Sequence, residues 1–191
     1  MIEENHFYFK NTNEWRSWLE ENHNSSTGIY LIFYKVGSSK ESMRWEEAVK
    51  EALCFGWIDS TVKKLDEERR RQYFSPRNHK SVWSKVNKTY IKELTKNNLM
   101  HEAGLAIIKI AKQNGCWNAL DDVENLIIPK ELQIEFNKHP IAFENYKNFS
   151  KSYRKGYLYW LNQAKREVTR QKRINEIISL CEKNIKSRSD W

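Results

Sequence analysis

The sequence predicts an α+β protein, in which a small mixed or antiparallel sheet with packed helices is followed by a helical C-terminal half. Strand-type segments occur only up to Pro76, and helical periodicity dominates after Ser81. The chain has 3 Pro and 6 Gly in 191 residues, which disfavours long loops and disorder. We therefore predict a single domain over residues 1–191, with an α/β part over about 1–97 and a helical part over about 98–191.

The first elements alternate between strand and helix. Phe7, Tyr8 and Phe9 predict a short strand, and Asn11 with Glu14 has the form of a capping box that opens a helix over 13–23. The segment 28–36 is rich in β-branched and aromatic residues and is apolar on both alternations. It predicts a central strand that is covered on both faces.

A second helix and a strand pair follow. Apolar residues recur at helical spacing at Trp45, Ala48, Val49, Ala52 and Leu53. Gly56 stands where a left-handed residue ends a helix. The segment 57–64 then alternates, 70–75 can return as its antiparallel partner, and Pro76 ends the pair because it lacks an N–H donor.

The remaining segments predict helices. Ser81 can cap the first of them, and Gly115 ends the second. Residues 115–128 predict an irregular connection, after which Pro129 and Pro140 suit the first turns of two short helices. The last two apolar stripes fall at 153–164 and 174–185.

The formal net charge of +8 is concentrated in two basic blocks. Residues 60–97 carry 11 basic and 4 acidic residues, and residues 147–191 carry 12 and 4. If these blocks meet in space, they form one positive face that attracts nucleic acid, anionic lipid or an acidic ligand. If they lie on separate helices, they are ordinary solvated surface.

The cysteines and the N-terminal residues predict the cellular compartment of the protein. Cys54, Cys116 and Cys181 are far apart and form no Cys-x-x-Cys pair, which predicts buried apolar residues in a reducing environment. The first residues contain neither a basic leader nor an apolar run, and no stretch reaches about 18 apolar residues. We expect a soluble cytoplasmic protein without a transmembrane segment.

The familiar chemical motifs are missing from the sequence. Its 5 His form no pair with the spacing that holds zinc. Glycine-rich nucleotide loops, the P-loop and the serine-hydrolase elbow are absent as well. The sequence therefore predicts no catalytic residue, no metal and no cofactor.

A ligand site is predicted where the strand at Trp57, the turn at Arg77 and the helix start near Ser81 come together. A guanidinium, two serine hydroxyls and free helix N–H groups can converge there on an anionic or carbonyl group. Two indoles would form apolar walls, and the carboxylate would orient the guanidinium or a ligand amine. The predicted ligand-binding residues are Trp57, Asp59, Arg77, Ser81, Trp83, Ser84 and Asn87.

A purely structural interpretation of the same residues stays open. Ser81 would cap a helix, Trp83 would fill the core and Arg77 would pair with Asp59 across the sheet.

A second basic cluster, the basic ridge, consists of Lys165, Arg166, Arg170 and Arg173. On a helix, three of its arginines share one face, opposite a stripe of isoleucines. The ridge is either a phosphate-binding surface or a solvated helix face. Aromatic residues do not interleave with it as stacking platforms for bases would.

Four blocks of the sequence carry a family resemblance. They are Cys-Phe-Gly-Trp-Ile-Asp-Ser at 54–60, Phe-Ser-Pro-Arg at 74–77, Ser-Val-Trp-Ser-Lys-Val-Asn at 81–87 and Ala-Lys-Arg-Glu-Val-Thr-Arg-Gln-Lys-Arg-Ile at 164–174. In this order they resemble the bacterial YdeI/OmpD-associated family, also labelled bacteriocin-protection, from about Trp15 to Ile178. Val168 departs from the acidic or proline-flanked turn that is usual in the family.

The resemblance implies an α/β module with a helical C-terminal part and no established enzymatic activity or cofactor. It also implies an association with tolerance of bacteriocins or cationic antimicrobial peptides, and with an outer-membrane porin. The family supplies no catalytic roles for the matching residues.

Three hypotheses for function follow. The first is a non-enzymatic binding protein associated with stress or antimicrobial-peptide tolerance, with an unknown small anionic or peptide ligand. The second is a nucleic-acid-binding protein that uses the blocks 60–97 and 147–191. The third is an unrecognised enzyme with a cleft around Asp59 and Arg77, in which Cys54 or His79 takes part. The sequence does not set the oligomeric state.

Overall fold

The computed structural model describes residues 5–188, which fold into two compact units divided between Asn118 and Ala119. The α+β class is confirmed, because a four-stranded mixed sheet lies in the first unit and helices make up the second. The prediction that 1–191 form one domain stays a prediction. Its ends, residues 1–4 and 189–191, lie outside the described residues.

The first unit contains four strands and four helices in its described part. They are β1 (His6–Phe7), α1 (Thr12–Asn22), β2 (Ile29–Tyr34), α2 (Trp45–Cys54), β3 (Trp57–Lys64), β4 (Arg69–Pro76), α3 (Lys85–Lys96) and α4 (Glu102–Gln113). The predicted elements are all present, although β1 begins one residue earlier and ends two residues earlier than predicted.

The sheet has the order β1-β2-β4-β3. β1 pairs parallel to β2, whereas β4 pairs antiparallel to both β2 and β3. Tyr30 lies opposite Tyr73, and Asp59 lies opposite Phe74. The β3–β4 register shifts between Asp59 and Val62, which places a bulge in β3.

β2 is interior to the sheet as predicted, but only one of its faces is buried. Ile29, Leu31 and Phe33 join a core with residues of α1 and α2, while the alternate residues are half-buried. The prediction of two covered faces is therefore wrong. The tyrosines on the second face made both alternations look apolar, although a tyrosine ring can lie along a sheet with its hydroxyl in water.

The helix ends follow local capping chemistry. Asn11 caps α1 by accepting from the Glu14 N–H at 3.1 Å, and the Glu14 carboxylate accepts from the Lys10 N–H at 2.8 Å. Gly56 follows α2 with φ +75°, the left-handed conformation predicted for it. The turn at Gly56 leads directly from α2 into β3.

The predicted cap of α3 is wrong by three residues. Ser84, not Ser81, is the N-cap, and its hydroxyl accepts from the Asn87 N–H at 3.2 Å. The Ser81 N–H instead donates to the Asn78 carbonyl at 2.9 Å, within a turn. The sequence offered two serines three residues apart, and the turn after β4 decides which one caps.

The second unit is helical over the residues that the structure describes. Its helices are α5 (Asp121–Glu124), α6 (Lys130–Lys138), α7 (Pro140–Asn148), α8 (Lys151–Asn162) and α9 (Glu167–Glu182). α5 lies in a segment predicted to be irregular, and α9 begins seven residues before its predicted stripe. Val168 is the second residue of α9 and is exposed. Its core includes Leu132, Phe136, Tyr146, Phe149, Tyr157, Leu158 and Ile174.

Candidate functional site

Arg77 is a buried cation at the end of the sheet. It directly follows β4, and its N–H donates to the Gly56 carbonyl at 2.9 Å. Its guanidinium carbon lies 3.8 Å from the centre of the Trp83 ring, and Nη2 donates to the Val82 carbonyl. The side chain is therefore held by a cation–π contact and one hydrogen bond.

Two of the Arg77 donors are unused. Nε and Nη1 are buried and have no hydrogen-bond partner among the described residues, and Arg77 as a whole is 5% exposed. Burial lowers the pKa of Arg77 to about 10, and the negative charge of Asp59 opposes that effect. The group remains a cation at neutral pH, so the fold holds a desolvated charge with two donor nitrogens that lack an acceptor among the described residues.

Further cations and a second indole adjoin Arg77. The Trp83 and Trp117 ring centres lie 5.0 Å apart. The Nζ atoms of Lys88 and Lys112 lie 5.4 and 5.3 Å from the centre of the Trp117 ring. We call Arg77, Trp83, Trp117, Lys88 and Lys112 the Arg77 cluster.

Sequence reasoning missed three members of this cluster. Lys88 lies on α3, Lys112 lies on α4 and Trp117 follows α4, so the cluster depends on how these helices return to the end of β4. No local pattern in the sequence reports a contact of this kind. Gly115, with φ +80°, marks the turn that follows α4, but it does not indicate that Trp117 packs against Trp83.

The Asp59 carboxylate already has hydrogen-bond partners within the first unit. Its Oδ2 accepts from the Trp45 Nε1 at 2.8 Å and from the Gln72 side-chain amide. Neither a hydrogen bond nor an ion pair joins it to Arg77 in the described residues. Its effect on Arg77 is electrostatic at longer range, so the expected pairing across the sheet does not form.

Trp57 lies in the helix-side core. It is 1% exposed, its Nε1 donates to the His23 carbonyl at 3.1 Å, and its ring meets Trp15 and Trp18 edge-on. These contacts account for both its ring and its N–H. Trp83 is likewise 1% exposed, but it contacts Arg77 directly.

Ser81 lies in the turn before α3, Ser84 is the N-cap of α3 and Asn87 lies in its first turn. All three are half-buried, and the Ser84 hydroxyl is engaged in capping. Of the predicted ligand-binding residues, the structure thus brings Arg77 and Trp83 into contact, with Ser81 and Ser84 in the adjoining turn. Trp57 and Asp59 have their polar atoms bonded elsewhere.

Two members of the basic ridge stabilise the second unit. Arg170 pairs with Glu131 and also donates to the Leu161 carbonyl at 3.4 Å. Arg173 donates to the Trp160 carbonyl and stacks at 4.9 Å on that indole. Both carbonyls belong to the last turn of α8, where cations are favourable.

The other two ridge residues face solvent. Lys165 and Arg166 are exposed, and Arg166 is the N-cap residue that precedes α9.

The thiols differ in their surroundings. Burial raises the pKa of Cys54 to about 11 and that of Cys181 to about 12, and both residues are fully buried as predicted. The prediction that Cys116 is buried is wrong, since it is half-buried in the turn before Trp117. Within residues 5–188, no group of three or more His, Cys, Asp or Glu side chains is arranged to hold a metal ion.

No helix in the described part of the chain combines the length and the apolar character needed to cross a membrane.

Two family models match the chain, one within each of its two units. Residues 7–107 match the model of a domain of unknown function (DUF8412) and lie inside the first unit. Residues 125–184 match the model described as "Bacteriocin-protection, YdeI or OmpD-Associated" and lie inside the second. Comparisons with curated proteins and with solved structures gave no match.

The predicted resemblance to the YdeI/OmpD-associated family is therefore confirmed, through residues 125–184. The block 164–174 lies within that match. The blocks 54–60, 74–77 and 81–87 lie within the segment matched by the domain of unknown function.

Proposed function

The chain belongs to the DUF8412 family over its first unit, and we propose that it is a non-enzymatic bacterial binding protein associated with bacteriocin tolerance. The match of residues 125–184 to the bacteriocin-protection family supports the association with tolerance. The Arg77 cluster supports a binding role. The single observation that carries this role is the buried Arg77 guanidinium, in which two donor nitrogens have no acceptor in the described part of the chain.

The chemistry of the cluster favours an anionic ligand. A guanidinium presents N–H groups in a fixed fork that matches a carboxylate or a phosphate, and burial strengthens such hydrogen bonds. Lys88 and Lys112 add positive charge beside Trp117. The nearby Asp59 carboxylate already accepts two N–H groups, so it leaves the guanidinium for an external acceptor.

The environments of the nucleophilic side chains support binding over covalent catalysis. Cys54 and Cys181 are buried and their raised pKa values hold them as thiols at neutral pH.

A ligand that reaches Arg77 must first displace the turn that contains Val82, because Arg77 is 5% exposed and donates to the Val82 carbonyl. The neighbouring residues 78–80 are exposed, which makes this turn the route of access.

Substitution of Arg77 by Met tests the binding role. Met keeps apolar contact with Trp83 and removes the unpaired donors, so Arg77→Met should leave the free energy of unfolding within about 1 kcal/mol of the wild type. Thermal unfolding should be measured with and without acetate, phosphate and an acidic peptide. At least one should raise the Tm of the wild type, and none should raise that of Arg77→Met.

Arg70→Met is the matched control, because Arg70 lies over the Phe33 ring at 5.5 Å but is exposed. It should keep the ligand response. If Arg77→Met loses more than about 3 kcal/mol of stability and no anion shifts the wild-type Tm, Arg77 is a structural residue and the binding proposal fails.

A survival assay tests the association with tolerance. Bacteria expressing the wild type or Arg70→Met should survive a bacteriocin better than bacteria without the protein, and those expressing Arg77→Met should not. Equal survival of all four strains would remove the tolerance proposal while leaving the binding measurements valid.

A further inference from the structure

The sheet of the first unit has one face that is not part of the helix-side core. On this face Tyr30 and Tyr34 of β2 lie opposite Tyr73 and Arg69 of β4, and Ile32 lies opposite Arg71. All of these residues are half-buried, in contrast to the fully buried residues that alternate with them on β2. We call Tyr30, Tyr34, Tyr73, Arg69 and Arg71 the tyrosine face.

Ring contacts organise the tyrosine face. The Arg71 guanidinium lies 4.6 Å from the centre of the Tyr30 ring, and the Tyr30 and Tyr73 ring centres are 4.9 Å apart. Tyr8 meets Tyr34 at 5.2 Å with ring planes at 77°. Among the described residues Tyr34 and Tyr73 each have a single ring contact, which covers at most one face of the ring, so the other face can accept a flat partner.

Two cavities lie at the end of β2, and the smaller one borders the tyrosine face. One has a volume of about 470 Å³ and is lined by Lys10, Lys35, Lys40 and Arg44 together with the hydroxyls of Thr12, Ser38 and Ser42. The other has a volume of about 270 Å³, and Tyr34 and Lys35 form part of its wall. Lys35 is therefore shared by both cavities, next to a tyrosine of the sheet.

Most cations around these cavities have no carboxylate partner. Among the described residues, no ion pair involves Lys10, Lys35, Lys40, Arg44, Lys63 or Arg70. Arg69 pairs with Asp66 and Lys64 pairs with Glu67 at the tip of the hairpin. Of the two carboxylates that line the larger cavity, Glu47 is engaged by the Arg44 N–H at 2.6 Å.

Aromatic rings on an uncovered sheet face beside unpaired cations are what a single-stranded nucleic acid requires. Its bases stack on aromatic side chains, and its phosphates attract cations that have no other partner. We propose that the first unit binds single-stranded nucleic acid, with bases on Tyr34 and Tyr73 and phosphates at Lys35 and Lys40. This site is distinct from the Arg77 cluster and does not depend on it.

Fluorescence anisotropy of a labelled oligothymidylate and a labelled oligouridylate, with the full chain at about 50 and 200 mM salt, tests the proposal. Tyr34→Ala should weaken binding about tenfold with an unchanged salt dependence, because it removes stacking alone. Tyr34→Phe keeps the ring and should restore binding. Lys35→Glu combined with Lys40→Glu should weaken binding at least tenfold and make it less sensitive to salt.

The controls are an exposed tyrosine and an exposed lysine elsewhere in the chain. Tyr159→Ala on α8 and Lys109→Glu on α4 should bind as the wild type does. The thermal unfolding of each variant establishes that it is folded.

Three results would overturn the proposal. One is the absence of binding to either oligonucleotide at about 50 mM salt, including the case in which anionic lipid vesicles bind instead. A second is wild-type affinity in both the Tyr34→Ala and the double lysine variant. The third is equal competition by duplex DNA of the same length, which would mean that phosphates alone are bound.

Discussion

The carbonyl oxygen of Cys54 lies 2.2 Å from the position that a Cβ atom on Gly104 would occupy. α4 therefore passes the end of α2 at backbone distance, and the His101 N–H donates to the same carbonyl at 3.1 Å. Only a residue without a side chain permits this approach. The end of α2 is also where the chain turns into β3, so the contact joins the helical and strand parts of the first unit.

Gly104→Ala should destabilise the protein strongly. An added Cβ would have to displace backbone, which yields less easily than a side chain, and we expect a loss of about 2–3 kcal/mol or more in the free energy of unfolding. Urea denaturation measures it. Gly37→Ala is the control, because no atom lies within 4 Å of its Cβ position, and it should change stability by less than about 1 kcal/mol. Equal effects at both positions would contradict the close packing of α4.

The position of the α3 cap predicts unequal effects of two serine substitutions. Ser84→Ala removes the acceptor of the Asn87 N–H and should cost about 1 kcal/mol. Ser81→Ala removes no capping bond and should cost less than about 0.5 kcal/mol. Thermal unfolding of the two variants side by side decides the matter. A larger effect at Ser81 would place the cap where the sequence pattern predicted it.

Arg173 should contribute to stability through the end of α8. Arg173→Ala leaves the Trp160 carbonyl without its charged donor and removes the stacking on the indole, so we expect a loss of about 1–3 kcal/mol. Lys172→Ala, one residue away and exposed, should be nearly neutral. Chemical denaturation followed by tryptophan fluorescence reports both. If Arg173→Ala leaves the free energy of unfolding unchanged, Arg173 does not stabilise the end of α8.

Stability should fall at alkaline pH partly through Cys54. Burial raises its pKa from 9.0 to about 11 in the folded protein, so the unfolded thiol ionises first. The contribution is fully present below pH 9 and is lost as the pH rises to about 11. By pH 10 it has fallen by about 1.4 kcal/mol. Cys54→Ala should reduce the difference in unfolding free energy between pH 8 and pH 10 by this amount. An unchanged difference would mean that the thiolate is accommodated in the folded state.

The order of the elements could be predicted because periodicity is local. Three patterns depend only on residues that are close in sequence, and each corresponds to an observed helix, turn or strand. They are the apolar stripe from Trp45 to Leu53, the turn at Gly56 and the alternation up to Pro76. The two predictions that were wrong, the second covered face of β2 and the Ser81 cap of α3, depend on more distant residues. Which face of β2 is buried depends on where α1 and α2 pack.

The candidate site was harder to predict because its contacts are long-range. Arg77 and Trp83 are six residues apart in the sequence, and the structure brings them into contact. Trp117, which follows α4, packs against Trp83, and the sequence contains no pattern that predicts this contact. The basic ridge shows the same limit: Arg173 has a helical spacing that suits a surface, but its hydrogen-bond partner is a carbonyl 13 residues earlier.

The register shift in β3 has a consequence for the protein at high concentration. In the described sheet β3 is an outer strand, with a row of hydrogen-bonding groups available to another polypeptide. The irregularity after Asp59 bends that row, and the exposed Lys63 repels the same residue of a second copy brought alongside. The hairpin is thereby protected against edge-to-edge self-association, so these molecules can crowd together without joining into a continuous sheet.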